Sequence, residues 1–173
     1  MSKRELRKYL RELKKEDLEK QVIDLYERFK PVKVFYDFVF NPKEEELLQK
    51  AKYKISKEYF PKTNRKPKAR RSIAQKEIRH FRQLGVDPYI TADLMLYNIE
   101  IAQIFSEEQK TLNEAFCKSI LKSYEEATKY ITENGITSAF RSRIVKIAIT
   151  AEKQNWRNKY LFEKIEIQFQ DFS

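Results

Sequence analysis

Apolar residues recur along this chain at three- and four-residue spacing. Leu6, Leu10 and Leu13 form one row, and Leu18, Val22, Leu25 and Phe29 form the next after a polar break at 14–17. Later rows are Leu47/Leu48, Ala51, Ile55 and Tyr59; Ile78, Phe81 and Leu84; and Ile90, Leu94, Tyr97, Ile101 and Phe105. Two more follow: Leu112, Phe116, Ile120, Tyr124, Ala127 and Ile131, then Ile144, Val145, Ala148 and Ala151. That period belongs to helices with one buried face. Two segments are ambiguous. Residues 32–40 are β-branched and aromatic, and 165–170 alternate with period two, so they also suit a small sheet. Leu161, Ile165, Phe169 and Phe172 fit helical spacing as well, and helix is the expectation for both segments.

Cap signals divide the rows. Ser2 with Glu5, Ser72 with Gln75 and Ser106 with Gln109 each fit a capping box, and Ser138 opens a further helix. Asn41-Pro42 and Asp87-Pro88 place a favoured cap before a favoured first-turn proline. Pro31 ends or kinks the second helix. The only glycines, Gly85 and Gly135, suit helix C-terminal caps. The expected fold is all-α, a helical bundle or α-hairpin stack of about seven or eight helices. Residues 1–60 form an N-terminal helical portion, 61–71 a basic loop and 72–173 a C-terminal bundle, with one core shared between the portions as an alternative.

Charge adds a location. The net charge is +10, and much of it is concentrated. Residues 61–82 carry nine Lys or Arg against Glu77 alone. Like charges crowded into a loop cannot be buried and favour an anion beside them. Lys62, Arg65, Lys66, Lys68, Arg70 and Arg71 are therefore candidate phosphate contacts, extended by Lys76, Arg79 and Arg82 on the following helix. Cations at a helix N-terminus oppose its dipole, and a local rule broken without visible compensation points to function. A solvated linker would show the same charges. A second basic row, Arg143, Lys146, Lys153 and Arg157, shares one face only if its helix continues through 154–155, and an ordinary solvated face explains it as well.

Catalytic patterns are sparse. His80 is the only histidine, so multi-histidine metal sites are excluded. Cys117, the only cysteine, stands beside Phe116 and reads as buried and inert. Glu44, Glu45 and Glu46 splay around a helix start, where the dipole accounts for them. Trp156 reads as a core anchor with its indole N–H bonded. No Gly-rich phosphate loop or Cys-x-x-Cys pair occurs. No catalytic residue, metal or cofactor is expected. A lone cysteine, a charged N-terminus and the lack of any long apolar window lead to a cytoplasmic expectation without membrane partners.

The segments Ser2–Leu6, Ile55–Pro61, Arg65–Ser72, Leu84–Pro88 and Ala92–Tyr97 together resemble a family of small, basic, uncharacterised bacterial proteins, a domain of unknown function. The resemblance covers nearly the whole chain and implies no activity or site residue. From the residues themselves, the expected function is non-catalytic nucleic-acid binding through the basic loop. RNA is favoured, since no base-reading helix motif is evident. The alternative is a helical protein-interaction adaptor whose basic loop meets an acidic protein surface.

Overall fold

The structure is a computed structural model that describes residues 2–62, 65–109 and 113–170. Thr63, Asn64, Leu112 and Phe172, named above in the basic run and the apolar rows, lie outside the described residues. Among the described residues the chain is all-α. Its nine helices are α1 Lys3–Glu12, α2 Lys15–Arg28, α3 Lys30–Phe40, α4 Glu44–Tyr59, α5 Arg71–Leu84, α6 Pro88–Gln109, α7 Glu114–Glu133, α8 Thr137–Lys153 and α9 Lys159–Gln170. The count exceeds the expected seven or eight because Lys14 and Phe29, both in extended backbone, cut the first forty residues into three helices. Pro31 falls in the first turn of α3, where its missing N–H costs nothing. Both ambiguous segments are helical, within α3 and α9. No described helix is long and apolar enough to cross a membrane.

Several helix starts differ from the cap signals. Ser2 does form a capping box with Glu5, and Asp87 Oδ1 accepts from Tyr89 N at 2.7 Å at the start of α6. Ser72 lies inside α5, whose N-cap is Arg70, and Ser138 lies inside α8, whose N-cap is Ile136. Ser106 is buried within α6, and Asn113 caps α7 instead, its Oδ1 accepting from Ala115 N. Asn41 is the C-cap of α3 rather than the N-cap of α4. Tertiary burial overrides the local cap preference at Ser106, since α6 is apolar on most of its circumference.

The chain divides into two compact units, Met1–Lys43 and Glu44–Ser173. In the first, α1, α2 and α3 bury none of their side chains. Tyr26 bridges α2 to α3, donating to Asp37 Oδ1 at 2.7 Å. In the second unit α4 packs with the helices beyond the basic loop, against α5 and α6. Lys54 reaches Glu77 at 3.0 Å, and Glu44 Oε1 accepts from Asp87 N at 3.0 Å. The apolar row of α4 explains this grouping, since Leu48, Ala51, Ile55 and Tyr59 are all buried.

The centre of the second unit is α6, which touches α4, α5, α7 and α8. It departs from the single stripe expected: Ala92, Leu94, Met95, Leu96, Ile99 and Ala102 are buried, while Ile90, Tyr97, Ile101 and Phe105 are only half-buried. A row of rings, Phe105, Phe116, Trp156, Phe162 and Tyr124, continues the core, neighbouring centroids 5.1–6.2 Å apart. The Trp156 indole N–H donates to Gln154 Oε1 at 2.8 Å. Full burial of a side chain such as Phe162 contributes about 1.5–3 kcal/mol.

Candidate functional site

The basic loop begins where α4 ends. Ile55 and Tyr59 are each 1% exposed and fix the last turns of α4 against the core. That leaves Tyr53 and Lys57, one turn apart, on the exposed side. Glu58 lies between the two faces, and the loop is built on it. Its backbone carbonyl, one of the orphan acceptors at a helix end, accepts from both Lys68 N and Ala69 N at 3.0 Å. Its carboxylate accepts two parallel bonds from Arg70, Nε to Oε2 at 2.8 Å and Nη2 to Oε1 at 2.9 Å. The Arg70 fork holds the Glu58 carboxyl below its usual value, against a smaller opposing effect of burial. Ala69 sits at φ 47°, a left-handed conformation that costs a non-glycine residue about 1 kcal/mol and persists here because its neighbours are fixed on both sides.

The folded-back loop and the last turn of α4 enclose a cleft of about 290 Å³. Lys57, Lys62, Arg65, Lys66 and Lys68 line it with Glu58, Pro61 and Arg70. All five cations are exposed. None has a carboxylate at ion-pair distance among the described residues, whereas Glu58, the one acid in the lining, is already neutralised by Arg70. The Tyr53 ring adjoins the cleft. Lys57 Nζ lies 4.7 Å and Lys62 Nζ 5.1 Å from its centroid. A hydrogen bond with Lys57, helped by the charge of Lys62, draws the Tyr53 phenol below its ordinary pKa.

The nine residues singled out by sequence separate into groups. Lys62, Arg65, Lys66 and Lys68 share the cleft. Arg70 is an anchor as well as a wall. Arg71 is half-buried and turned to α7, its Nε donating to Ser123 Oγ at 3.0 Å and its guanidinium pairing with Glu126 at 2.6 Å. The cations at the start of α5 are thus compensated, by Glu58 and Glu126, which the sequence did not reveal. Arg79 and Arg82 line a different groove, shared with Glu126, Lys129 and Glu133 of α7, and Arg82 lies over the Tyr130 ring at 5.6 Å. Lys76 is exposed and lines neither. Lys57 and Tyr53 were missed. Their signal is positional: they stand four and eight residues before Pro61, on the last two turns of the helix that delivers the loop.

The second basic row does not form, because α8 ends at Lys153 and Asn155 turns at φ 53°. Arg143 instead bonds Glu100 through Nε and Nη2 at 2.8 Å and Asp93 through Nη1 at 2.5 Å, with Lys52 on the other Asp93 oxygen at 2.6 Å. Arg157 is exposed, 3.8 Å from Glu114. Cys117 is buried, which pushes its thiol pKa up and away from reactivity. Among the described residues no group of three or more His, Cys, Asp or Glu is placed to hold a metal.

Comparison with family models gives a match over residues 1–170 to a family described as a family of unknown function (DUF6155). No curated protein and no solved structure matches the chain.

Proposed function

We propose, from the premise that the chain belongs to the DUF6155 family of unknown function, that it is a non-catalytic nucleic-acid-binding protein whose phosphate contacts are the cations of the loop cleft. One observation carries the reading: Lys57, Lys62, Arg65, Lys66 and Lys68 converge on one cleft in which the only acid among the described residues is already bound by Arg70. Five cations held together repel one another, and the arrangement is relieved by a ligand that brings several negative charges at once. Lysine and arginine offer N–H donors and no acceptor at neutral pH, which suits phosphate oxygens rather than proton transfer. Lys68, Ala69 and Arg70 are held on Glu58 before any ligand arrives, so the end of the loop next to α5 needs no ordering on binding.

The test is fluorescence anisotropy with short RNA and DNA at several salt concentrations. Expected affinity is in the range of about 10⁻⁴–10⁻⁶ M at physiological salt. Each phosphate neutralised adds about −0.7 to the slope of log K against log salt on a single strand, so five contacts give a slope near −3.5. Changing the five cations to Ser should remove binding and slope together. Binding that survives those changes, or that has no salt dependence, overturns the proposal.

A second reading rests on a separate observation. The helices α1–α3 bury no side chain, and Leu25, Phe29, Val39 and Phe40 stand exposed. A helical adaptor would use such an apolar surface to hold a partner protein. In the same assay it predicts binding to an acidic polypeptide and none to RNA or DNA.

A further inference from the structure

We infer that the loop cleft selects single strands, with Tyr53 as the platform on which one base stacks. This rests on the nucleic-acid reading and names the form of ligand that the cleft takes.

Tyr53 is 45% exposed, and two ammonium groups of the cleft wall lie within 4.7 and 5.1 Å of its ring centre. A nucleotide carries base and phosphate on one sugar. A ring with ammoniums this close therefore offers both halves of a nucleotide a partner at once. When a phosphate draws Lys57 or Lys62 toward the cleft, a face of the ring is released. Stacking on an aromatic ring is tolerant of base identity, since every base has a π-face. In a duplex those faces are stacked on one another and unavailable to Tyr53.

Three other rings of the same unit do not share this setting. Phe60 is half-buried and packs edge-on against Phe105 at 6.0 Å. Tyr89 packs against Phe140 at 6.1 Å. Tyr160 is 63% exposed but lines a groove with Glu152, Glu163 and Glu166, whose charges repel a phosphate.

The experiment compares a single-stranded RNA, a duplex of the same sequence and inorganic polyphosphate, each against the full chain as wild type, Tyr53→Ala and Tyr53→Phe. Because Tyr53 is exposed, both variants should melt with the wild type by circular dichroism. The wild type should favour the single strand over the duplex. Tyr53→Ala should weaken the single strand by about 5- to 150-fold. Tyr53→Phe, which keeps the ring, should retain binding within about twofold. Polyphosphate and duplex binding should be unchanged in both, since neither uses the ring. Equal binding of strand and duplex, or a Tyr53→Ala variant that loses polyphosphate and RNA alike, overturns the stacking role and leaves the phosphate cleft standing. Loss of all binding by the wild type at low salt overturns both.

Discussion

The units Met1–Lys43 and Glu44–Ser173 are written in the same helical code and reach opposite outcomes. Along α2 and its C-cap the row Leu18, Val22, Leu25 and Phe29 is half-buried at best, with the cap residue Phe29 50% exposed. In α7 the row Ile120, Tyr124, Ala127 and Ile131 is at most 1% exposed. Period alone states that a helix has an apolar face; it does not state that the chain supplies something to cover it. The second unit has enough helices to surround α6. The first has three, joined by contacts such as Tyr26 with Asp37 and Tyr26 with Tyr36, and about 40 residues is near the lower limit for a self-sufficient core.

The largest effect that tests this contrast is a pair of truncations. Phe81 is fully buried and Phe29 half exposed, so the same change should give different losses. Phe81→Ala should lower the urea unfolding free energy by about 3–5 kcal/mol. Phe29→Ala should cost less than about 1 kcal/mol, as surface substitutions do. Equal losses would mean that the face of α2 is covered in solution, and the contrast between the units would break.

The all-helical fold and most of the core row of α4, α5 and α7 were legible because side-chain period is a local property. Helix starts were less so. Ser2 caps α1 because nothing competes for it, whereas Ser106 lies in α6, where packing on most sides outweighs a cap signal. The loop charges were legible as a run. Their sorting was not, because Arg70 and Arg71 find Glu58 and Glu126, partners 12 and 55 residues away, and only the fold brings these together. Lys57 joined the cleft, with Tyr53 beside it, for the same reason, through the hydrogen bonds that fold the loop onto Glu58. The link from Arg143 to Asp93, Glu100 and Lys52 was likewise invisible in a sequence row that offered Arg143 as a free cation.

An intermediate effect tests charge in the same way. Arg143 is 28% exposed and bonds two carboxylates across helices, while Arg28 is 68% exposed and pairs with Asp24 within α2. Arg143→Met should cost about 1–3 kcal/mol, since Asp93 and Glu100 lose a charged donor in a partly desolvated place. Arg28→Met should cost no more than about 0.5 kcal/mol, the value of an exposed i,i+4 pair. Urea titrations of the two variants separate these values, and a costly Arg28→Met would show that the first unit relies on local pairs more than its exposure implies.

The smallest effect concerns the loop anchor and its pH dependence. Arg70 holds the Glu58 carboxyl below its ordinary value of 4.5, so the folded state binds this proton less readily than the unfolded chain does. The stabilisation is then complete above that ordinary value and is lost as pH falls through the lower, folded value. Asp93 has the same sign: burial pushes it up, but the hydrogen bonds of Lys52 and Arg143 outweigh burial and hold it down. In the first unit Glu5 is also drawn down, by the Ser2 backbone N–H, yet it is fully exposed and should barely move the acid limb. Glu58→Gln should therefore cost less than about 1 kcal/mol at neutral pH, because half of Arg70 already faces solvent, and nothing at a pH well below the folded value. Global unfolding resolves so small a change poorly. Amide exchange at Lys68 and Ala69 resolves it better, since their bonds to the Glu58 carbonyl close the loop that the Arg70 fork braces. These two amides should exchange faster in Glu58→Gln at neutral pH while those of α6 stay unchanged. If they exchange at the wild-type rate, the loop is held by its backbone alone, and the carboxylate serves only to neutralise Arg70 at the edge of the cleft.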